Sequence, residues 1–397
     1  MPSRRLERAV YGLIDQGSAS TLIFVITVLV ARSGGSREVG LFAVFYGAFL
    51  VALGLHRATV SQPLLATPIT SDRLAAQAGR TTTVAASILL AVPTAITAAV
   101  LGMSELLAIA IVGPGLLLLD LHRHIRHQGH DVRGAALISA SWLVGLLVGS
   151  PWIQDAQSAL WIWGGVGTLI ALICELMSGS APIAWLAAKR WQLTQAKLST
   201  SLAADSVIAT LGTNIAGLIV GARGGLTELG TLRTAIVLFG PVLLLQQAVS
   251  MQALPRLAVA TPEHRLALGN RITVLTVLIA SVGGVAILLL APLFEAVLFA
   301  GAVGIPVIVL VGLAIQVLAI GLYTTPTLMR KVEGRYEEVV LVRGLSFGAG
   351  LAAVGFSPLG ESAQGAAAAF ALQGLLLAGG LRLYAWRRNR RPGPPMR

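Results

Sequence analysis

The sequence predicts an all-α polytopic membrane protein with about twelve transmembrane helices in two pseudo-symmetric lobes of six helices. Three observations support this: composition, the length of the apolar blocks, and an internal duplication. Of the 397 residues 55% are apolar and only 12% are charged, about half the charged fraction of a soluble domain. The apolar residues form blocks of about 20, the length that crosses a ~30 Å hydrocarbon layer as a helix. The short alternating strands of outer-membrane barrels are not seen in this pattern.

Two predicted helical hairpins, one in each half of the chain, resemble each other. An aspartate opens each hairpin, at Asp15 and at Asp205, and Ala-Arg followed by a Gly-Gly pair closes its first span. A Val-Gly or Leu-Gly pair then opens the second span, which ends near Pro63 or Pro255. A hairpin duplicated within one membrane chain is typical of a transporter whose halves move around a central cavity.

The apolar blocks predict the elements in order. The spans lie at about 9–31, 39–65, 81–102, 105–121, 134–151, 158–179, 200–221, 230–253, 269–291, 303–328, 339–356 and 361–386. We therefore predict an N-terminal lobe at 1–180 and a C-terminal lobe with a basic tail at 200–397. Between them, 181–199 carries Trp185, Trp191 and several basic residues, a composition that predicts an amphipathic helix along the membrane interface.

The basic residues predict the orientation. If the N-terminus is cytoplasmic, the predicted outer segments hold only Arg32, Arg37, Arg223 and Arg233. This bias predicts a multi-pass protein of the cytoplasmic membrane with both termini inside. The net charge of +12 then reflects this topology and attraction to anionic membrane lipid. Nucleic-acid binding is not expected, because it needs a soluble basic face.

Several classes of function lack their signatures in this sequence. No G-x-x-x-x-G-K-[ST] phosphate loop occurs, so ATP hydrolysis by this chain is not expected. The single cysteine, Cys174, excludes an internal disulfide and a cysteine metal cage. We expect a transporter rather than an enzyme, and we expect no cofactor.

Short sequence motifs in both hairpins carry a family resemblance. They are Asp15-Gln16, Val39-Gly40-Leu41-Phe42, Leu55-His56-Arg57-Ala58, Ser61-Gln62-Pro63, Leu229-Gly230-Thr231-Leu232-Arg233, Phe239-Gly240-Pro241 and Ala253-Leu254-Pro255. In their order and doubling the chain resembles the polysaccharide-flippase branch of the multidrug/oligosaccharidyl-lipid/polysaccharide (MOP) exporter superfamily, which is MATE-like in fold. The resemblance implies export of an anionic polyprenyl-linked glycan by alternating access. Other proteins of envelope polysaccharide synthesis are the further partners it implies.

Polar residues within the spans are the candidate binding residues, since a charge at membrane depth costs ~2.5–3.5 kcal/mol or more unless it faces protein or water. Arg57 could bind a pyrophosphate bidentately, or it could snorkel to lipid phosphates. Gln62 follows it, and Arg233, just inside the outer end of its span, is either a release-side contact for the sugar-phosphate or an interfacial anchor. Asn214 and Gln246 either line a wet cavity or hydrogen-bond between helices.

Asp15 and Asp205 hold equivalent places at the starts of their lobes. Each is a candidate for a cation or proton site, or for a latch that changes partner between states. The simpler interpretation, which we favour at this point, is capping of a helix N-terminus, where the helix dipole favours acids.

The tract from Asp120 to Asp131 holds four of the six histidines. Asp120, His124 and His127 share one helical face and could ligate a metal. The interleaved arginines would repel such an ion, so we predict a solvated basic inner loop and no metal site.

Two further functions stay open. A cation-coupled multidrug exporter of the same superfamily would be expected to concentrate acids in its cavity, whereas the deepest charge here is Arg57. A membrane-embedded enzyme of envelope synthesis would need clustered acids, which the sequence does not show. An anionic cargo is therefore favoured.

Overall fold

A computed structural model describes residues 2–61, 63–64, 72–128, 131–178 and 183–389. In these ranges the chain is helical apart from short connections, as predicted. The helices are α1 (Pro2–His56), a π-helix (Arg57–Ser61), α2 (Asp72–Leu101), α3 (Ser104–Gln128), α4 (Val132–Gly149), α5 (Ala156–Met177), α6 (Trp185–Gly224), α7 (Leu226–Leu238), α8 (Gly240–Val259), α9 (Pro262–Val297), α10 (Val307–Val332), α11 (Tyr336–Phe356) and α12 (Ala363–Asn389).

The duplicated Gly-Gly pairs mark the same backbone break in both halves. In α1 the helix is interrupted at Gly34 and Gly35, and Gly35 has φ 69° and ψ −163°. At the second copy, Gly225 separates α6 from α7 with φ 88° and ψ 169°. Only glycine adopts this region of backbone conformation without strain. The break divides α1 into a first arm and a second arm, so that α1 supplies two spans.

The spans agree with the predicted order. Among the described residues nine helices are long and apolar enough to cross a membrane, and α7 with α8 forms one further bent span. The bend of 49° lies where Phe239 is followed by Gly240-Pro241, at the first turn of α8. Proline has no amide hydrogen to continue the ladder, so it permits a bend at this point. With two spans in α1, and with α6 at the seventh predicted span, the all-α polytopic fold is confirmed.

The helix α6 runs from Trp185 to Gly224 without a break. The described part of the predicted linker is therefore the beginning of the same helix that contains the seventh span. Residues 179–182 lie outside the described part of the chain.

The core packs α5 against the second arm of α1. Trp163 of α5 is buried against three aromatic rings of the second arm of α1, those of Phe42, Tyr46 and Phe49. On the periphery, α2 leaves large apolar side chains such as Leu89 exposed, as expected of a helix that faces lipid. This packing places polar side chains of α1, α3 and α7 around one internal space.

Candidate functional site

A cavity of about 580 Å³ lies between the first arm of α1, the π-helix, the last turns of α3, and α7 with α8. We call this cavity the chamber. The described residues that line it are Asp15, Gln16, Ala19, Ser20, Ile23, Phe24, Arg57, Arg123, His124, His127, Arg233, Ile236, Val237, Gly240, Leu243 and Gln247.

Arg57 lies on the chamber wall at the first position of the π-helix. Its Nη2 and Nε donate to Oδ1 of Asp120, at 2.6 Å and 3.0 Å. The Asp120 side chain is only 5% exposed, whereas that of Arg57 is 39% exposed. Asp120 therefore binds the guanidinium on its buried side, and the rest of the guanidinium is exposed to the chamber. Arg57 thus projects from a π-helical turn, a conformation that is rare overall and frequent at functional sites.

Asp15 lies well inside α1, which begins at Pro2, so the capping interpretation is wrong. The dipole favours acids only in the first turn of a helix. Instead Asp15 is buried and accepts from Nη2 of Arg123 at 2.9 Å and from the hydroxyl of Ser139. Nε2 of His127 lies 3.1 Å from its second oxygen. Asp15 thus binds together α1, α3 and α4 at one end of the chamber.

Asp205 also lies inside a helix, α6, rather than at its start. Capping of the N-terminus of α6 is therefore wrong for this residue as well. Its side chain lies outside the described part of the structure, and its role as a latch stays a prediction.

The prediction of a solvated loop from Asp120 onward is wrong, because α3 continues to Gln128. Asp120, His122 and Arg123 are buried. Each has a partner on another helix: Asp120 binds Arg57, His122 binds Glu175, and Arg123 binds Asp15. Burial of charged groups is tolerated when they are paired and hydrogen-bonded.

The face of α3 singled out as a possible metal site lies at the chamber instead. His124 and His127 line it, beside Arg123. The described residues contain no group of three or more potential ligands that could hold a metal ion. The shared helical face was the signal in the sequence, but it indicated a cavity wall rather than a ligand set.

Arg233, on α7, lines the chamber and also a small adjoining void of about 20 Å³ that Asn214 shares. The interfacial-anchor interpretation is therefore wrong. The guanidinium carbon lies 5.1 Å from the centre of the Tyr46 ring, a cation–π contact. Nε of Arg233 is buried and has no hydrogen-bond partner among the described residues.

The predicted glutamines have different positions. Gln62 lies outside the described residues. Gln246 is buried, and its amide donates to the carbonyl oxygens of Thr276 and Val317, both at 3.1 Å. It thus joins α8 to α9 and α10 rather than lining the chamber, which corrects its place among the cavity candidates. The neighbouring Gln247 lines the chamber in its place.

The charge of the chamber is mostly positive. Among the described lining residues three are arginines and one, Asp15, is an acid. Asp15 is saturated by its donors, and Asp120 is covered by Arg57. Arg123 is paired with Asp15, so Arg57 and Arg233 are the groups that can bind an anion that enters, and planar guanidinium groups suit phosphate oxygens in particular.

The whole chain can be superimposed on solved transporter structures at low sequence identity. The inward-facing conformation of a multidrug resistance MATE family transporter of the MOP superfamily is 14% identical, with 97% of this chain and 100% of that chain covered and a TM-score of 0.71. The fold is that of the MATE transporters. The outward-facing conformation of such a transporter is also 14% identical over 97% of this chain and 95% of that chain, with a TM-score of 0.61.

A third similar structure is a MOP superfamily transporter from Pyrococcus furiosus. A reverse polarity of its binding pocket suggests a different function for that protein. It is 13% identical, covers 97% of this chain and 95% of its own, and has a TM-score of 0.61. No family model matches the sequence, and no curated protein matches it either.

Proposed function

We propose that the chain is a flippase of the MOP type. It moves a lipid-linked oligosaccharide or polysaccharide precursor across the cytoplasmic membrane by alternating access, and it catalyses no covalent step. The observation that carries this proposal is the excess of guanidinium groups over acids on the chamber wall. An anionic diphosphate that joins lipid to sugar is the group such a wall would bind.

The availability of the cations supports an anionic cargo. Among the described residues Arg57 forms an ion pair with Asp120 alone, and it keeps 39% of its side chain exposed. Arg233 contacts an aromatic ring rather than a carboxylate. Each therefore keeps N–H donors for an incoming phosphate, and hydrogen bonds between charged groups are about twice as strong as neutral ones.

The size of the chamber supports a bound head group with an excluded lipid chain. A volume of about 580 Å³ is within the range of sites that hold drug-sized ligands. It suits a diphosphate and its first sugar. The long polyprenyl chain would then stay in the bilayer, where its transfer free energy is favourable.

We propose further that the chamber faces the cytoplasm in this state. Under the predicted orientation, the first arm of α1 begins inside, and the chamber lies along its early part, from Asp15 to Phe24. The higher TM-score against the inward-facing transporter than against the outward-facing one agrees with this proposal.

A second candidate is a cation-coupled multidrug exporter, and two of the similar structures are multidrug resistance MATE family transporters. One observation favours it: the buried Asp15 has His127 as a neighbour and could exchange a proton or cation. Against it, the carboxylate is occupied by Arg123 and Ser139, so a cationic drug would have to displace them.

Gene deletion separates the two candidates. Loss of the flippase should cause lipid-linked sugar to accumulate on the cytoplasmic leaflet, and the same accumulation should follow Arg57→Ala combined with Asp120→Asn, which leaves no unpaired buried carboxylate. Arg37→Ala is the matched control, because Arg37 is 69% exposed and lies outside the chamber; it should restore export. A rise in drug sensitivity with no lipid intermediate would show that the cargo is a drug.

A further inference from the structure

The two halves meet through a pair of glycines that contact each other's backbone. A Cβ atom built on Gly40 would lie 1.8 Å from the carbonyl oxygen of Leu226, and one built on Gly230 would lie 1.7 Å from that of Ser36. The second would also lie 2.8 Å from the amide nitrogen of Gly40. No side chain fits at these distances, so only glycine permits this approach. The contact is reciprocal. Gly40 packs against the carbonyl group of Leu226, four residues before Gly230, and Gly230 packs against the carbonyl group of Ser36, four residues before Gly40.

These glycines are duplicated positions. Gly40 follows Val39 in the first hairpin, and Gly230 follows Leu229 in the second. They bring the second arm of α1 against α7, each directly after the backbone break at Gly35 or Gly225. Along each chain segment the glycine lies between the break and the next chamber residue: Gly40 precedes Arg57, and Gly230 precedes Arg233.

Other contacts between the halves at this end also use backbone atoms. Arg32 donates to the carbonyl oxygens of Val297 and Leu298, at 2.7 Å and 2.8 Å, where α9 ends. A Cβ on Gly35 would lie 3.1 Å from the carbonyl oxygen of Ala302. Small residues allow helices to approach closely in membranes, and a rigid-body rotation of one half against the other would break these few contacts together.

We propose that the reciprocal contact of Gly40 and Gly230 is the seal that closes the chamber opposite its loading end, and that the halves separate there to release cargo. The proposal rests on the alternating access of the proposed function. A methyl group at either glycine prevents the backbones from meeting. Such a variant populates the state in which this end is open, and it cannot complete the cycle.

A disulfide tests whether the seal closes and opens. The hydroxyl oxygens of Ser36 and Thr231 lie 3.4 Å apart across the seal, near enough for a disulfide after a small adjustment. In a Cys174→Ala background, Ser36→Cys with Thr231→Cys should crosslink and reduce transport at least tenfold, and a reductant should restore it. Each single cysteine variant is the control and should transport normally. Failure to crosslink, or full transport by the crosslinked protein, would overturn the proposal.

Glycine variants test what holds the seal. Gly40→Ala and Gly230→Ala, placed separately in the double-cysteine chain, should each lower the crosslinking yield about tenfold. Gly17→Ala is the matched control, since a Cβ at Gly17 of the same helix meets nothing within 4 Å; it should leave the yield unchanged. An unchanged yield in a folded Gly40→Ala protein contradicts the proposal. If neither alanine variant folds, the crosslinking result of the double-cysteine chain, in which both glycines are native, decides whether the proposal stands.

The crosslinking yield needs no cargo, so this test is separate from the test of the proposed function. If the crosslinking yield depends on Gly40 but gene deletion causes no accumulation of lipid-linked sugar, the seal is supported and the flippase assignment is wrong. The reverse result would retain the flippase and remove the seal.

Discussion

The two duplicated hairpins are alike where the halves close and different where the chamber lies. At the closing end, Glu38 and Glu228 each bind the first backbone amide of the last helix in their own half. The Glu38 carboxylate accepts from Ala156 at 3.0 Å, and that of Glu228 accepts from Ala363 at 2.7 Å. The two glutamates are 190 positions apart, the same separation as that between Gly40 and Gly230.

At the chamber the same separation joins unlike residues. Arg57 corresponds to Gln247, and both line the chamber. The first hairpin reaches this point through a π-helix, whereas the second bends by 49° at Gly240. His56 corresponds to Gln246, and both are buried and hydrogen-bonded to neighbouring helices. These packing positions are therefore alike in the two halves, whereas Arg57 and Gln247 differ in charge and follow different backbone bends.

Replacing Arg57 by glutamine, the residue type at the equivalent position 247, should have the largest effect on transport. Arg57→Gln removes the exposed cation and leaves Asp120 buried without its partner, which costs about 3–5 kcal/mol of folding free energy. Arg57→Gln with Asp120→Asn should recover the abundance and thermal stability but not transport, which should stay at least a hundredfold lower. The measurements are the melting temperature in detergent and the accumulation of lipid-linked sugar. Normal transport by the double variant would show that Arg57 serves only to pair with Asp120.

Arg233 should give the next largest effect. The equivalent position in the first hairpin, 190 residues earlier, is Ala43. The second half therefore contributes a cation that the first half lacks at this position. Arg233→Gln should lower transport about tenfold or more with little change in stability, because no carboxylate loses its partner among the described residues. Arg233→Lys keeps the charge and loses the planar fork, and it should be intermediate. A loss of protein instead of transport would indicate that the contact with Tyr46 is structural.

The sequence predicts the duplication, the spans and three chamber residues, Arg57, Arg233 and Asp15, because each is a charged residue in a hydrophobic run. The pairing of Arg57 with Asp120 leaves no such mark, since the two residues belong to different helices. For the same reason the tract after Asp120 resembles a loop. Its charges are neutralised by partners on other helices, Asp15 and Glu175 among them, which composition cannot reveal.

The glutamate caps should give a smaller effect, and an equal one in the two halves. Glu38→Gln and Glu228→Gln each keep an acceptor and remove a charge at a helix N-terminus, where an anion is worth about 0.3–1 kcal/mol. Both variants should therefore lower the melting temperature slightly and to a similar extent, with transport retained. The alanine variants, which leave the amide unpaired, should cost about 1–3 kcal/mol each. A large difference between the two positions would show that the halves are not equivalent at the closing end.

Gln247 should give the smallest effect, and it sharpens the comparison at the chamber. The side chain is neutral and shares the wall formed by α7 and α8 with the apolar Ile236 and Leu243. If the diphosphate binds Arg57 and Arg233, the neutral sugar is left to face Gln247, whose amide can donate to and accept from hydroxyl groups. Gln247→Ala should lower transport only a few fold for the native cargo, the cost of about one hydrogen bond. Its effect should disappear for a diphosphate lipid without sugar, in a binding assay on vesicles that carry each lipid. An equal effect on both lipids would indicate that Gln247 contacts the phosphate. The equivalent residues Arg57 and Gln247 would then both bind the anion.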